Sequence, residues 1–174
     1  MTGTTRGPKP AGLTRLFLRL PIWLYRWRLG WLLGGRFVMI RHTGRKSGLP
    51  RDTVIELVHY APETNTYYIA SGWGEKADWF RNIQKTPKVL LFTRNKRLTA
   101  VTHRLAPAEA AEILARYATL HPASFRQLSK MMIGETLTDT AADCQRLANA
   151  VPVVAIAPMD LANAVPVVAI APMD

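Results

Sequence analysis

Residue types able to do chemistry concentrate in ten consecutive positions: His42, Thr43, Gly44, Arg45, Lys46, Ser47, Gly48, Leu49, Pro50 and Arg51. Two glycines permit a tight turn that exposes backbone amides, three cations surround it, and Thr43 and Ser47 add hydroxyl donors. Such a segment can cradle a phosphate, and an ordinary basic hairpin turn is the alternative on spacing alone. The GxxxxGKS/T spacing of a P-loop is absent. His42, His59, His103 and His121 lack metal-ligand spacing, so no metal is expected. There is no GxSxG motif, and Cys144, the single cysteine, reads as a small packed residue. No side chain is assigned a catalytic role, and a cofactor must carry the chemistry.

The charge pattern agrees with an anionic partner. Of 23 Lys and Arg residues, eleven precede the first acid, Asp52, and the rest of the 174-residue chain is balanced. The net charge of +11 therefore belongs to the N-terminal third. One cysteine suits a reducing cytoplasm. Arginines interrupt the apolar N-terminal region, which excludes a spanning helix there and fits a secretory signal poorly.

Several elements must position the basic segment. Residues 1–12 read as a flexible basic tail. Over residues 13–31, Leu13, Leu16, Leu20, Trp23, Leu24, Trp27 and Trp31 share one helical face opposite Arg15, Arg19 and Arg26, with a kink at Pro21. β-rich apolar runs follow at 37–40, 54–60, 67–70, 89–92 and 98–105, joined by short turns that favour antiparallel hairpins. A short helix at 79–85 interrupts them, with Asp78 as its cap and Pro87 as its stop. Pro107 opens a packing helix with Ala110, Ile113, Leu114 and Tyr117 on one face. Further helices are expected at 123–132 and 140–149, and a strand at 151–157 that closes the sheet.

Residues 147–160 and 161–174 are the same fourteen residues, LANAVPVVAIAPMD, twice over. Only one copy can fill a single closing-strand position. The domain is accordingly expected at 13–160, with 161–174 a surplus tail; domain swapping or strand addition is the alternative.

The order of motifs carries a resemblance. After the Thr43-Gly44-Arg45-Lys46-Ser47-Gly48 segment come Ser71-Gly72-Trp73-Gly74, then Asp78-Trp79-Phe80-Arg81-Asn82-Ile83 and Thr86-Pro87-Lys88-Val89. From about residue 37 to 105 the chain resembles the deazaflavin-dependent nitroreductase family. The resemblance implies an α+β fold: an antiparallel split β-barrel of the FMN-binding type, here with an N-terminal amphipathic helix and flanking helices. It implies coenzyme F-420, an 8-hydroxy-5-deazaflavin with a phosphate and an acidic tail, as cofactor. Arg45, Lys46, Ser47 and Arg51 would hold that tail. Ala70, Ser71 and Gly72 would approach the ring, with Trp79 and Asn82 completing the site. Trp73 departs from the family's pattern, standing where a smaller residue is common; it and Trp27 are expected to line the substrate pocket, with a lid or core aromatic as the alternative for Trp73.

The expected activity is hydride transfer to a small hydrophobic acceptor: a quinone, a nitroaromatic or an activated alkene. Two rivals stand beside it, an FMN-binding oxidoreductase on the same barrel and a non-enzymatic basic module bound to an anionic membrane surface. Nucleic acid is not expected, because no base-reading motif accompanies the charge. The protein would be cytoplasmic, peripheral on the inner membrane face, and a monomer or homodimer.

Overall fold

The computed structural model describes residues 35–159. The tail at 1–12, the helix at 13–31 with Trp27, and the second repeat copy at 161–174 lie outside the described residues.

Six strands close into an antiparallel barrel: β1 (Phe37–Thr43), β2 (Pro50–Ala61), β3 (Thr66–Ala70), β4 (Lys88–Thr93), β5 (Lys96–Arg104) and β6 (Val153–Pro158), in spatial order β1-β2-β3-β6-β5-β4. This is the split barrel of the sequence reading. Alternation drives it, because successive residues of a strand face opposite sides. Val38, Ile40, Ile69, Leu91, Val154 and Ile156 form a solvent-free interior. β6 pairs with β3 on one side and β5 on the other, so the expected closing strand does close the sheet.

Two local expectations are corrected. β2 starts at Pro50 rather than 54, which puts Arg51 on the strand opposite His42. Proline is tolerated there because the first residue of a strand need not donate to the ladder. β5 starts at Lys96 rather than 98, after a turn at Arg94 and Asn95 with Arg94 at φ 48°.

Four helices complete the unit: α1 (Asp78–Lys85), α2 (Pro107–Leu120), α3 (Pro122–Ile133) and α4 (Ala141–Ala150). α1 plugs the barrel with Trp79, Phe80 and Ile83. The other three pack a second core around Leu114, Tyr117, Phe125, Cys144 and Leu147, against Val58 and Val153. Cys144 is buried there as a packed residue, and burial pushes its thiol up. No helix among the described residues is long and apolar enough to cross a membrane.

Candidate functional site

The loop between β1 and β2 is held chiefly by its own backbone. The Gly44 N–H donates to the Leu49 carbonyl at 2.8 Å, and the Gly48 N–H to the Gly44 carbonyl at 2.8 Å. Gly48 sits at φ 67°, where an L side chain is strained, and a Cβ on Gly44 would lie 2.7 Å from Ser47 Oγ. Ser47 Oγ accepts the Leu49 N–H at 3.3 Å, so this hydroxyl helps shape the turn. Below it, the Arg41 guanidinium grips both oxygens of Asp52, at 2.7 and 2.9 Å, and this pairing raises the Arg41 pKa.

Arg45 ties the loop to α1. Its backbone N–H and Nη1 both donate to Asn82 Oδ1, at 3.0 and 3.1 Å, and its Nη2 meets Asp78 Oδ1 at 2.9 Å. Lys85 Nζ returns a bond to the Arg45 carbonyl at 3.0 Å. Asp78 therefore does not cap the helix: Ala77 is the N-cap, without a side-chain bond, and the Asp78 carboxylate faces Arg45 instead. Lys46 and Arg51 differ from Arg45. Both are exposed, and neither side chain makes a hydrogen bond or ion pair among the described residues.

Asn82 links this loop to the barrel. Its Oδ1 is committed to Arg45, so its amide Nδ2 donates to His42 Nδ1 at 3.1 Å, and His42 Nε2 then donates to Thr53 Oγ1 at 3.0 Å. Those bonds select the neutral imidazole. Burial, the main cause, holds the His42 pKa below 6.5.

Thr53 opens onto a cavity of about 430 Å³ between the barrel and the helices, within the usual range for small-ligand pockets. Ala70, Gly72, Trp73 and Trp79 line it together with Leu128 and Met131 of α3. Four of the residues picked from sequence thus meet at one concavity. Ser71 lies between two of them yet is fully buried: its N–H bonds to the Pro152 carbonyl and its hydroxyl to the Gly74 carbonyl, at 3.0 and 2.7 Å. Trp73 is 65% exposed at the rim, while Trp79 is nearly buried edge-on against Phe80 and belongs both to the core and to the cavity wall.

A polar cluster that the sequence reading missed interrupts this largely apolar wall. Glu56 Oε1 accepts Arg36 Nε at 3.0 Å, Arg36 Nη2 at 2.8 Å and the Tyr117 hydroxyl at 2.9 Å, and Arg36 Nη2 also meets Ser124 Oγ. Burial and then the Glu56 charge raise the Tyr117 pKa well above the ordinary phenol range. The function of α2 is therefore not packing alone, because Tyr117 puts its hydroxyl into the cavity wall. An acid in the otherwise apolar run Val54-Ile55-Glu56-Leu57-Val58 was the one visible signal.

A closed antiparallel barrel with a roofed lateral cavity and an adjoining cationic turn defines a split-barrel protein. Two solved structures bear out the fold. A protein of unknown function from Agrobacterium tumefaciens shares 15% identity and a TM-score of 0.52, over 72% of this chain and 49% of its own. The heme storage protein HutZ of Vibrio cholerae shares 13% identity and a TM-score of 0.50, over 82% of this chain and 91% of its own. An F420-H2 dependent reductase, FDR-A, is 19% identical with a TM-score of 0.49, over 70% of this chain and 93% of its own. No curated protein matches the sequence. The family model for F420H(2)-dependent quinone reductases, however, matches residues 19–136, and the chain belongs to that family. It is accordingly an F420-dependent oxidoreductase.

Proposed function

We propose that the cavity takes a quinone and that the cationic turn holds the acidic tail of reduced coenzyme F-420, which supplies hydride when bound. The observation that carries this reading is α1, which joins the two regions: Trp79 lines the cavity and Asn82, one turn later, braces the loop. The residues fit the cofactor's chemistry. The side chains of Lys46 and Arg51 are cations without partners among the described residues, and charge-assisted bonds to phosphate and carboxylates suit them. Arg45 and Ser47 act differently in this reading, by fixing the turn that presents the other two.

On the cavity side, Ala70 and Gly72 bring backbone close with little side chain in the way. Trp79 and Trp73 supply flat apolar surface for planar ligands. Tyr117 of α2 and Leu128 and Met131 of α3 wall the cavity on its helical side, where a bound ligand that displaces water favours hydride transfer over side reactions. Nitroaromatics and activated alkenes are the finer alternatives as acceptors. We place the working unit at 13–160 and assign residues 13–31, with Trp27, to the cavity mouth or to an anionic membrane surface. The helix's segregated arginines and tryptophans motivate the membrane assignment.

Parallel binding titrations with reduced deazaflavin, FMN and NADPH test the cofactor. Saturable binding of the deazaflavin with a quinone reduced on mixing is the expected result. Tight FMN binding without deazaflavin binding would replace it with the flavin reading.

A further inference from the structure

Three donors converge on one oxygen of Glu56, while its other oxygen, Oε2, takes no hydrogen bond from any described residue. The carboxylate lies in the wall of the cavity, with the side chain 31% exposed. Arg36 and Tyr117 fix its orientation, since a guanidinium and a buried phenol leave it little freedom to turn. The remaining wall is chiefly aliphatic, aromatic or backbone, so a free anionic acceptor atom stands out against it. A plain quinone cannot use that atom, because its carbonyl oxygens only accept hydrogen bonds.

We infer that Glu56 determines acceptor specificity: its Oε2 takes a hydrogen bond from a hydroxyl carried by the acceptor, so the cavity prefers hydroxyl-bearing quinones to unsubstituted ones. The inference rests on the proposed quinone reading and narrows its substrate class. The physical contrast is one of sign. A hydroxyl carried into an apolar cavity without a partner loses its bonds to water and weakens binding. Bonded to a carboxylate, the same hydroxyl strengthens it. The charge also acts against acceptors bearing a carboxylate or sulfonate, which would stand opposite an anion.

Trp73 and Trp79 line the cavity, so quenching of tryptophan fluorescence reads acceptor binding on the full chain without cofactor. The matched probes are methylnaphthoquinone and hydroxymethylnaphthoquinone. The wild-type protein is expected to bind the hydroxymethyl compound about tenfold more tightly, as a charged hydrogen bond implies. In Glu56→Gln the amide oxygen must face Arg36 and Tyr117, both donors, which leaves the amide nitrogen in place of Oε2. The preference should then fall to about threefold or less, because a neutral bond replaces a charge-assisted one.

Equal binding of the two probes by the wild-type protein overturns the role of Glu56 and leaves the quinone reading standing. A preference unchanged in Glu56→Gln overturns it in the same way. Absence of quenching by either probe overturns both.

Discussion

The cationic turn draws its donors from neighbours in the chain, whereas the cavity beside it is assembled from the start of β1, β2, the end of β3 with the loop after it, α1, α2 and α3. In the turn, backbone bonds within six residues and one arginine set the geometry, and two further cations are left for a ligand. In the cavity, geometry depends on contacts such as Tyr117 to Glu56, which are 61 residues apart. The first region can lose the charges of Lys46 and Arg51 without disturbing the fold. The second cannot lose a polar partner without exposing another. Three variants and one pH series can break that contrast or sharpen it.

The largest effect is expected from Lys46→Ala combined with Arg51→Ala. Loss of one contact to a charged group costs about 1.5 to 3 kcal/mol when buried, so two exposed ones together should weaken deazaflavin affinity by about 10- to 150-fold. Turnover at saturation should change little, because the acidic tail does not react. The melting temperature should also stay near wild type, since both side chains lack partners among the described residues. Unaltered affinity by calorimetric titration would remove the loop from the cofactor site.

Arg45→Ala should behave differently within the same ten residues. Its guanidinium joins the loop to Asp78 and Asn82 while remaining 23% exposed. Exposure of Asp78 discounts the ion pair, so a loss of about 1 to 2 kcal/mol is expected, a fall of roughly 3 to 6 °C in melting temperature. Affinity should fall together with stability. A variant that binds weakly yet melts like wild type would show that Arg45 contacts the ligand directly and does not act as a clamp.

The His42 relay gives a smaller, pH-dependent effect. Burial holds its folded pKa below 6.5, so on acidification the unfolded chain takes up a proton before the folded chain does. Stability is therefore complete above pH 6.5 and falls as pH drops below it, until the folded imidazole itself titrates. His59, also lowered chiefly by burial, adds to the same slope. Between pH 7 and about pH 5 thermal melts should lose on the order of 1 kcal/mol, and His42→Asn should flatten part of that loss. An identical slope in the variant would take His42 out of the linkage.

These contrasts also explain what could be read from the sequence. The strands, the barrel closure, the α1 helix and the loop announce themselves through local period and spacing, and Asn82 and Trp79 fall where the motif order places them. The sequence marks Arg45 as one cation of the loop for the same local reason, and its partners on α1, more than thirty residues away, come only from the fold. Nothing within a few residues of Glu56 or Tyr117 indicates that they meet. Tyr117 has the helical spacing of a core residue and is indeed buried, and only the fold shows what its hydroxyl bonds. Likewise His42 alternates inward with Val38 and Ile40, where burial lowers its pKa, and the asparagine that bonds its Nδ1 lies forty residues on.

The smallest effect is expected from removing residues 161–174. The two fourteen-residue copies are identical, so deleting either leaves the same chain, with one copy following Arg146 directly. That remaining copy supplies Leu147, Val151, Val153, Val154 and Ile156, all essentially free of solvent. It also supplies β6, already paired on both sides, in a barrel with no unpaired edge among its described strands. A second identical strand could enter only by displacing the first. Doing so would place residues 153–160, the sequence VVAIAPMD, ahead of it where Cys144 and Arg146 now build α4, and a proline there would break the helix. The shortened protein should melt within about 1 °C of the full chain, well inside 0.5 kcal/mol for a protein of this size. A fall of more than about 4 °C, or a change from one oligomeric state to another on size-exclusion chromatography, would mean that the second copy holds a place in the folded assembly.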